Sequence, residues 1–231
     1  MIKKFLFAVA SCLTLSACGS GGVNPIVKDS LQRLNPFEGS EETTAPATRR
    51  QALTRAAVEK SGIAVIRASL LTEESKFLFY GASANKGYVT FATRSLQQIT
   101  LRGARITGTR GLGADLLASQ TNGPDPVVTP VPPQNWPSSI TRIYTLPGGS
   151  KPQGQKMVFN CSIEQEGPAS LVIVGRRHEG VQFSETCHGD GISFENLYLA
   201  DRNSGFVWRS IQWIGPELGN VDLEIVEPYT P

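Results

Sequence analysis

The stretch KMVFNCSIEQE, residues 156–166, decides the fold class of this chain. Its apolar side chains recur at every second position, and a period of two is that of a β-strand with one buried face. The positions that share this face are Met157, Phe159, Cys161 and Ile163. Similar segments recur through residues 139–229 about every ten residues, with Gly-, Pro-, Asn- or Asp-containing turns between them. The second half of the chain is therefore predicted to be antiparallel and all-β.

The first half of the chain carries shorter strand signals. Asn85-Lys86-Gly87 separates two alternating segments and predicts a hairpin turn. Strands are predicted within residues 63–70, 76–84, 87–95 and, as two short ones, 99–109. QALTRAAVEK, residues 51–60, favours one short helix that ends at Ser61-Gly62, and GADLLAS, residues 113–119, predicts a turn or a short helix.

Residues 122–138, NGPDPVVTPVPPQNWPS, contain six prolines and divide these two halves. Proline lacks a backbone donor and fixes φ, so this stretch is not a central strand. It is either a linker between two domains or an extended loop along one folded body. We favour the loop, because the first half alone is too small to close a barrel or sandwich, and we expect residues 51–231 to form a single domain.

The N-terminus predicts export and lipidation. Lys3 and Lys4 precede a short apolar run, and Leu15-Ser16-Ala17-Cys18 resembles the lipobox of bacterial lipoproteins. The run is much shorter than the roughly 20 residues of a membrane-spanning helix. We therefore expect residues 1–17 to be a signal peptide and Cys18 to be acylated, for example by palmitate, so that acyl chains hold the protein on a membrane.

The residues after Cys18 predict a tether and a destination. Residues 18–50 are rich in Gly, Ser, Thr, Pro and Glu, as in a flexible coil. In some bacteria, an Asp directly after the lipidated cysteine resembles an inner-membrane retention signal. This chain has Gly19 at that position, so we expect it at the periplasmic face of the outer membrane.

The mature chain is expected to be close to neutral. The full sequence has 22 basic and 20 acidic residues, and removal of Lys3 and Lys4 with the signal peptide leaves 20 of each. This balance disfavours nucleic acid as a partner.

Cysteine usage agrees with export. Cys12 leaves with the signal peptide, so Cys161 and Cys187 are the remaining pair in the mature domain. In an oxidising compartment they are expected to form a disulfide, with two separate buried thiols as the alternative. Neither lies in a CxxC motif, and the chain has two histidines, so neither a metal site nor a cofactor is predicted.

No catalytic motif stands out. GxSxG and HExxH are absent, and His188 with Asp190 is expected to lie on a solvated hairpin tip rather than in a polar site. A sugar hydrolase would need two facing carboxylates, which the sequence cannot place in space. The candidates for such a pair are Glu164, Glu166, Glu185 and Glu195.

Candidate contact residues lie in two loops. Trp136, in the proline-rich loop, is expected to be exposed and able to stack on a sugar, whereas Trp208 and Trp213 are expected in the core. Three glycines between Thr107 and Leu117 predict a structural elbow. Arg110 and Asp115 within that elbow are candidate recognition groups.

Several separated pieces resemble the YjbF/GfcB-type lipoproteins of exopolysaccharide and group 4 capsule loci. They are Thr109–Gly113 with Asp115-Leu116, Cys161 and Cys187, Phe194–Tyr198, and Ser210–Trp213 with Gly215-Pro216 and Leu218-Gly219. Ile211 replaces the Arg that we expect in many relatives, which favours a packing role for its strand. The resemblance covers about residues 53–231 and the lipobox.

The resemblance implies an antiparallel β-sandwich or barrel-like body, outer-membrane anchoring, and no enzymatic activity. The leading hypothesis is an accessory lipoprotein in exopolysaccharide or capsule export that binds glycan or export proteins. A carboxylate-dependent periplasmic glycan hydrolase and a structural partner of an outer-membrane β-barrel are the alternatives.

Overall fold

A computed structural model describes residues 53–72, 76–148 and 151–230. The expected signal peptide, the expected lipidation site at Cys18 and the expected tether of residues 18–50 lie outside these residues. No helix in the described ranges has the length and apolar character needed to cross a bilayer.

In the described part of the chain there are twelve strands and one α-helix. The strands are β1 (Val65–Leu70), β2 (Phe77–Asn85), β3 (Tyr88–Ala92), β4 (Gln98–Arg102), β5 (Arg105–Arg110), β6 (Ala118–Asn122), β7 (Ser139–Gly148), β8 (Lys151–Ile173), β9 (Arg176–Gly189), β10 (Ile192–Asp201), β11 (Val207–Gly215) and β12 (Gly219–Glu227). The prediction of an all-β antiparallel body with a short N-terminal helix is confirmed. The helix, α1 (Arg55–Ser61), begins after Thr54, whose hydroxyl accepts a hydrogen bond from Ala57, and ends at Gly62 in the left-handed conformation.

All twelve strands belong to one antiparallel sheet that curls into a nearly closed barrel. Strands that are consecutive in sequence pair with each other, apart from β5 and β6, which are the two edges of the sheet. The first and last strands, β1 and β12, also pair and join the two halves of the sheet. These edges meet at a seam, where Thr109 N–H donates to Leu116 at 2.9 Å and Ala104 N–H donates to Val127 at 2.9 Å. The predicted hairpin at residues 85–87 is present. Strand β6 was not predicted, because its sequence ASQTN has no apolar alternation.

Two apolar cores explain why several strands are buried on both faces. Inside the barrel, aromatic rings pack edge to face, as between Tyr144 and Phe159, and Trp213 stacks on Phe194 with 4.3 Å between ring centroids. Outside it, the long β8–β9 hairpin lays Leu171 and Ile173 over side chains of β10, β11 and α1. Ile211 belongs to this outer core, and Trp208 is half-buried between the two cores.

The proline-rich segment packs across one end of the barrel. Residues 133–135 form a single 3-10 turn, and strands on both sides of the segment belong to the same sheet. Its carbonyls come so close to two turns that only glycine fits there. A Cβ at Gly103 would collide with the Val128 carbonyl, and a Cβ at Gly205 would collide with that of Val131.

Cys161 and Cys187 form a disulfide between directly opposed residues of β8 and β9. Both sulfurs lie in the interior core.

Because the bond closes a loop with a sequence separation of 26, we expect the Cys161→Ala/Cys187→Ala double variant to lose about 3 kcal/mol of unfolding free energy, measured by urea denaturation. Reduction before unfolding should destabilise the wild type and leave the double variant unchanged. Equal stability of the oxidised wild type and the variant would contradict this expectation.

Candidate binding cavity and the charged cluster beside it

Four charged side chains are buried together inside the barrel. They are Arg105 from β5, Asp125 from the proline-rich segment, Arg142 from β7 and Glu185 from β9. Arg142 and Glu185 are each 0% exposed. Two cations and two anions in one cluster give no net charge, which is the condition under which charges are tolerated in a core.

Arg142 lies between the two carboxylates. Its Nε donates to Glu185 Oε1 at 2.6 Å and its Nη2 donates to Glu185 Oε2 at 3.2 Å, as a bidentate pair. Its Nη1 donates to Asp125 and, at 2.6 Å, to the Thr121 hydroxyl. Arg142 therefore ties β7 to β9 and to the proline-rich segment.

The second arginine is held mainly by neutral groups. Arg105 donates to the Ser119 hydroxyl from Nε at 3.1 Å and from Nη2 at 3.0 Å, and to the hydroxyl oxygens of Tyr144 at 2.8 Å and Tyr198 at 3.3 Å. Its nearest carboxylate contact among the described residues is Asp125, 4.0 Å from Nε. The positive charge of Arg105 is thus less directly neutralised than that of Arg142.

The cluster keeps its acids ionised and its tyrosine protonated. Burial alone would raise the pKa of Glu185, but the charges of Arg142 and Arg105, with hydrogen bonds from Arg142 and Tyr198, outweigh burial and lower it. The pKa of Asp125 is lowered in the same way, against burial, chiefly by Arg142 and Arg105. Burial and the neighbouring Glu185 raise the pKa of Tyr198 well above its usual value, so its hydroxyl donates to Glu185.

A cavity of about 420 Å³ opens beside this cluster at the seam between β5 and β6. The seam is bridged by hydrogen bonds near both ends, and the cavity lies between them. Its lining is rich in hydroxyl, amide and guanidinium groups: Tyr88, Arg102, Arg105, Thr107, Ser119, Gln120, Thr121, Gly123, Pro124, Asp125, Val128 and Thr129. This volume lies in the range typical of small-molecule sites.

Two exposed side chains form the rim of the cavity. Tyr88 begins β3 and Arg102 ends β4, and the two are paired across these strands. The Arg102 guanidinium carbon lies 5.3 Å from the centre of the Tyr88 ring, within reach of a cation–π contact. The contact places a cation and an aromatic ring at the entrance.

The two recognition candidates of the elbow lie at the opposite end of the barrel. Arg110 is exposed at the end of β5. Asp115 accepts hydrogen bonds from the backbone of Gly111 at 2.8 Å and of Leu112 at 3.1 Å, and from the Thr109 hydroxyl at 3.0 Å. The elbow is therefore built around Asp115, which acts as a turn-forming acceptor. Neither residue lines the cavity.

The expectation that Trp136 is exposed was wrong. Its ring is half-buried and stacks on Phe183, with 4.1 Å between centroids, and it packs at an angle on Tyr198. The indole Nε1 is buried and has no hydrogen-bond partner among the described residues. The ring covers the barrel interior from the proline-rich segment, because apolar packing of a large ring outweighs the loss of one hydrogen bond. Trp213 is buried, as expected.

The candidate carboxylates do not form a facing pair with Glu185. Glu164 is exposed and Glu195 is half-buried. On their strands both alternate with residues that face the barrel interior, so their side chains point outward. The side chain of Glu185, in contrast, points inward. Burial, followed by the charge of Glu166, raises the pKa of Glu195 on that outer surface. His188 and Asp190 lie at the exposed β9–β10 turn, where His188 Nδ1 is 2.7 Å from the Ser193 hydroxyl.

Among the described residues, one group of potential metal ligands comes together: Cys161, Glu185 and Cys187. The two sulfurs are bonded to each other and Glu185 is paired with Arg142. In the oxidised protein these residues have no thiolate with which to bind a metal.

Sequence reasoning missed Arg105 and Arg142, although a signal for Arg142 was present. Along β7 the buried positions are Ile140, Arg142, Tyr144 and Leu146. A charged residue in the inward phase of an alternating strand needs a buried partner. Glu185 stands in the same way between Phe183 and Cys187 on β9. Matching the two opposite charges would have predicted the ion pair.

Comparison with known proteins gives a consistent result. A family model described as "Group 4 capsule polysaccharide lipoprotein gfcB, YjbF" matches residues 27–226. No curated protein matches the chain. The crystal structure of the hypothetical lipoprotein YmcC from Escherichia coli (K12) is similar, with a TM-score of 0.66 and 15% sequence identity over 78% of this chain and 92% of that one. At this identity the likeness shows a shared fold.

The Arg142–Glu185 pair predicts a large effect of removing one charge. Glu185→Gln leaves Arg142 buried with one carboxylate, and breaking such a pair costs about 3–5 kcal/mol of unfolding free energy. Glu164→Gln, on the exposed outer face of the adjacent strand, should change it by less than about 0.5 kcal/mol. Urea denaturation of both variants measures the difference, and equal small effects would contradict a structural role for the pair.

The lowered pKa of Glu185 also sets the direction of a pH dependence. A carboxyl with a depressed folded-state pKa binds more protons when unfolded, so its stabilisation is present above about pH 4.5, its ordinary pKa, and is lost as the pH falls further. Unfolding free energy of the wild type should therefore fall more steeply below that pH than that of Glu185→Gln. Parallel curves for the two proteins would be the contrary result.

Proposed function

This chain belongs to the YjbF family of group 4 capsule polysaccharide lipoproteins, and from that premise we propose that it is a non-enzymatic accessory of exopolysaccharide or capsule export. It is held by acyl chains on Cys18 at the periplasmic face of the outer membrane, and residues 18–50 give the β-body reach. Residues 51–231 act as one domain. The body binds a segment of glycan in the cavity at the β5–β6 seam.

The main support for glycan binding is the cavity at the β5–β6 seam. Saccharides present many hydroxyl groups, and binding sites for them need donors and acceptors that are already in place. From the two edge strands, the Gln120 amide offers donors and an acceptor. The Thr107 hydroxyl donates to the Thr100 carbonyl and can still accept, and the Ser119 hydroxyl accepts from Arg105 and can still donate. The Tyr88 ring at the rim offers a face for a sugar ring.

The same cavity favours binding over hydrolysis. Glycoside hydrolysis requires two carboxyl groups about 5 to 9.5 Å apart across the scissile bond. One carboxylate, Asp125, lines the cavity, and its oxygens accept hydrogen bonds from Arg142, from the Thr121 hydroxyl and, at 3.0 Å, from Val127 N–H. Glu185 is likewise engaged by Arg142, Asn196 and Tyr198.

Anchoring is tested through Cys18. A Cys18→Ala variant lacks the acylated thiol, so we expect it in the soluble periplasmic fraction or still joined to its signal peptide, while the wild type fractionates with the outer membrane. Density-gradient separation followed by immunoblotting measures this distribution. An unchanged outer-membrane location of the variant would contradict lipid anchoring.

The cavity is tested by filling it. Gln120 is exposed on the cavity wall, and Gln120→Trp should block the space without disturbing the core, so secreted polymer should fall toward the level of a deletion strain. Gln134→Trp, at an exposed position outside the cavity, is the matched control and should secrete normally.

Normal secretion by Gln120→Trp, with a deletion strain impaired, would overturn cavity binding and favour a structural partnership with an outer-membrane barrel. Unchanged secretion in the deletion strain would overturn the export function itself. Secreted polymer is quantified as total hexose and uronic acid in the culture medium, after normalising for the amount of the lipoprotein in each strain.

A further inference from the structure

The charges around the seam cavity point to the kind of sugar that it takes. Its lining contains two cations, Arg102 and Arg105, and one anion, Asp125. Asp125 is paired with Arg142, and Arg142 is also paired with Glu185. With this pair included, three arginines and two carboxylates lie at the cavity and behind it, which leaves one positive charge in excess.

Arg105 is the buried part of this positive surface. It is 2% exposed and is fixed by hydrogen bonds to Ser119, Tyr144 and Tyr198. All four of these hydrogen bonds, two of them to Ser119, are accepted by neutral oxygens, and the Asp125 carboxylate lies 4.0 Å from Arg105 Nε. Arg105 also lowers the pKa values of Asp125 and Glu185, so its charge balances the second acid of the cluster, and the positive charge in excess at the cavity is that of Arg102.

Arg102 is the exposed part. Its guanidinium lies against the Tyr88 ring, so it is oriented at the rim before any ligand arrives. Planar guanidinium groups match carboxylates with two parallel hydrogen bonds, and an exposed one can close on a ligand at little cost in desolvation. The rim thus combines an oriented cation with a ring face on which a sugar can pack.

We propose that the seam cavity selects an acidic saccharide unit, whose carboxylate pairs with Arg102 at the rim and lies toward Arg105, while its hydroxyls bond to Thr107, Ser119 and Gln120. This inference rests on the proposed glycan-binding function and adds the charge of the glycan. The chain as a whole is close to neutral after loss of its signal peptide, so this selectivity comes from the one positive charge in excess at the cavity and not from a general positive field.

The test uses the full-length lipidated protein in detergent, titrated by calorimetry with a galacturonic acid trimer and with its fully methyl-esterified form. The two probes share ring and linkage and differ in charge. We expect the acid to bind at least about tenfold more tightly than the ester. Arg102→Gln should lower affinity for the acid by about tenfold and leave affinity for the ester unchanged, with Arg102→Lys in between.

Arg110→Gln is the matched control, because Arg110 is an exposed arginine at the opposite end of the barrel and lies outside the cavity. It should bind both probes as the wild type does. Arg102 is exposed, so its replacement is expected to leave the fold intact, which near-ultraviolet circular dichroism checks.

Equal affinity for acid and ester, equal losses in Arg102→Gln and Arg110→Gln, or binding of neither probe would overturn the inference. A parallel titration with the polymer secreted by the same cells separates this failure from that of the proposed function. Polymer binding that is blocked by Gln120→Trp but indifferent to Arg102→Gln would leave glycan binding in the cavity standing and remove the acidic selectivity alone.

Discussion

The interaction on which the site depends is the contact of one buried arginine with two carboxylates. Arg142 is 0% exposed and bonds Glu185 on β9 and Asp125 in the proline-rich segment. A buried charge that lost both partners would be costly, so these three side chains fix the position of the segment relative to the barrel. The cavity wall formed by residues 123–129 stays in place because Asp125 does.

The same arrangement separates structural charge from charge that is available to a ligand. Glu185 and Asp125 are used by Arg142, and Tyr198 stays protonated beside Glu185. Arg105, held by hydroxyls, is left at the cavity wall with Arg102 outside it. A wall whose acids are engaged, with the exposed Arg102 guanidinium at its rim, suits recognition of a polar chain better than bond cleavage, and the proposed role in glycan export is based on this difference.

The strands and turns of this fold were predictable where local signals agree with the tertiary structure. Alternation in residues 156–166 and the turn at residues 85–87 gave the correct strands and hairpin, because one face of each strand is buried. β6 was missed because an edge strand of polar residues beside a cavity needs no apolar face. Trp136 was misplaced because a proline-rich loop is normally exposed, whereas this one covers the end of a barrel and buries its ring on Phe183.

The candidate site was harder to predict than the fold, because its residues come from four strands, β3 to β6, and from the proline-rich segment. These elements come together only when the barrel closes. Arg105 and Ser119 lie on the two edge strands, β5 and β6, that adjoin at the seam, and no local sequence pattern encodes this contact. The most direct measurement is backbone-amide NMR of the isotopically labelled protein titrated with the secreted polymer. Glycan binding in the seam cavity predicts changes in chemical shift at Thr107, Ser119 and Gln120 and none at residues 111–115. Shifts confined to residues 111–115, or no shifts at saturating polymer, would contradict it.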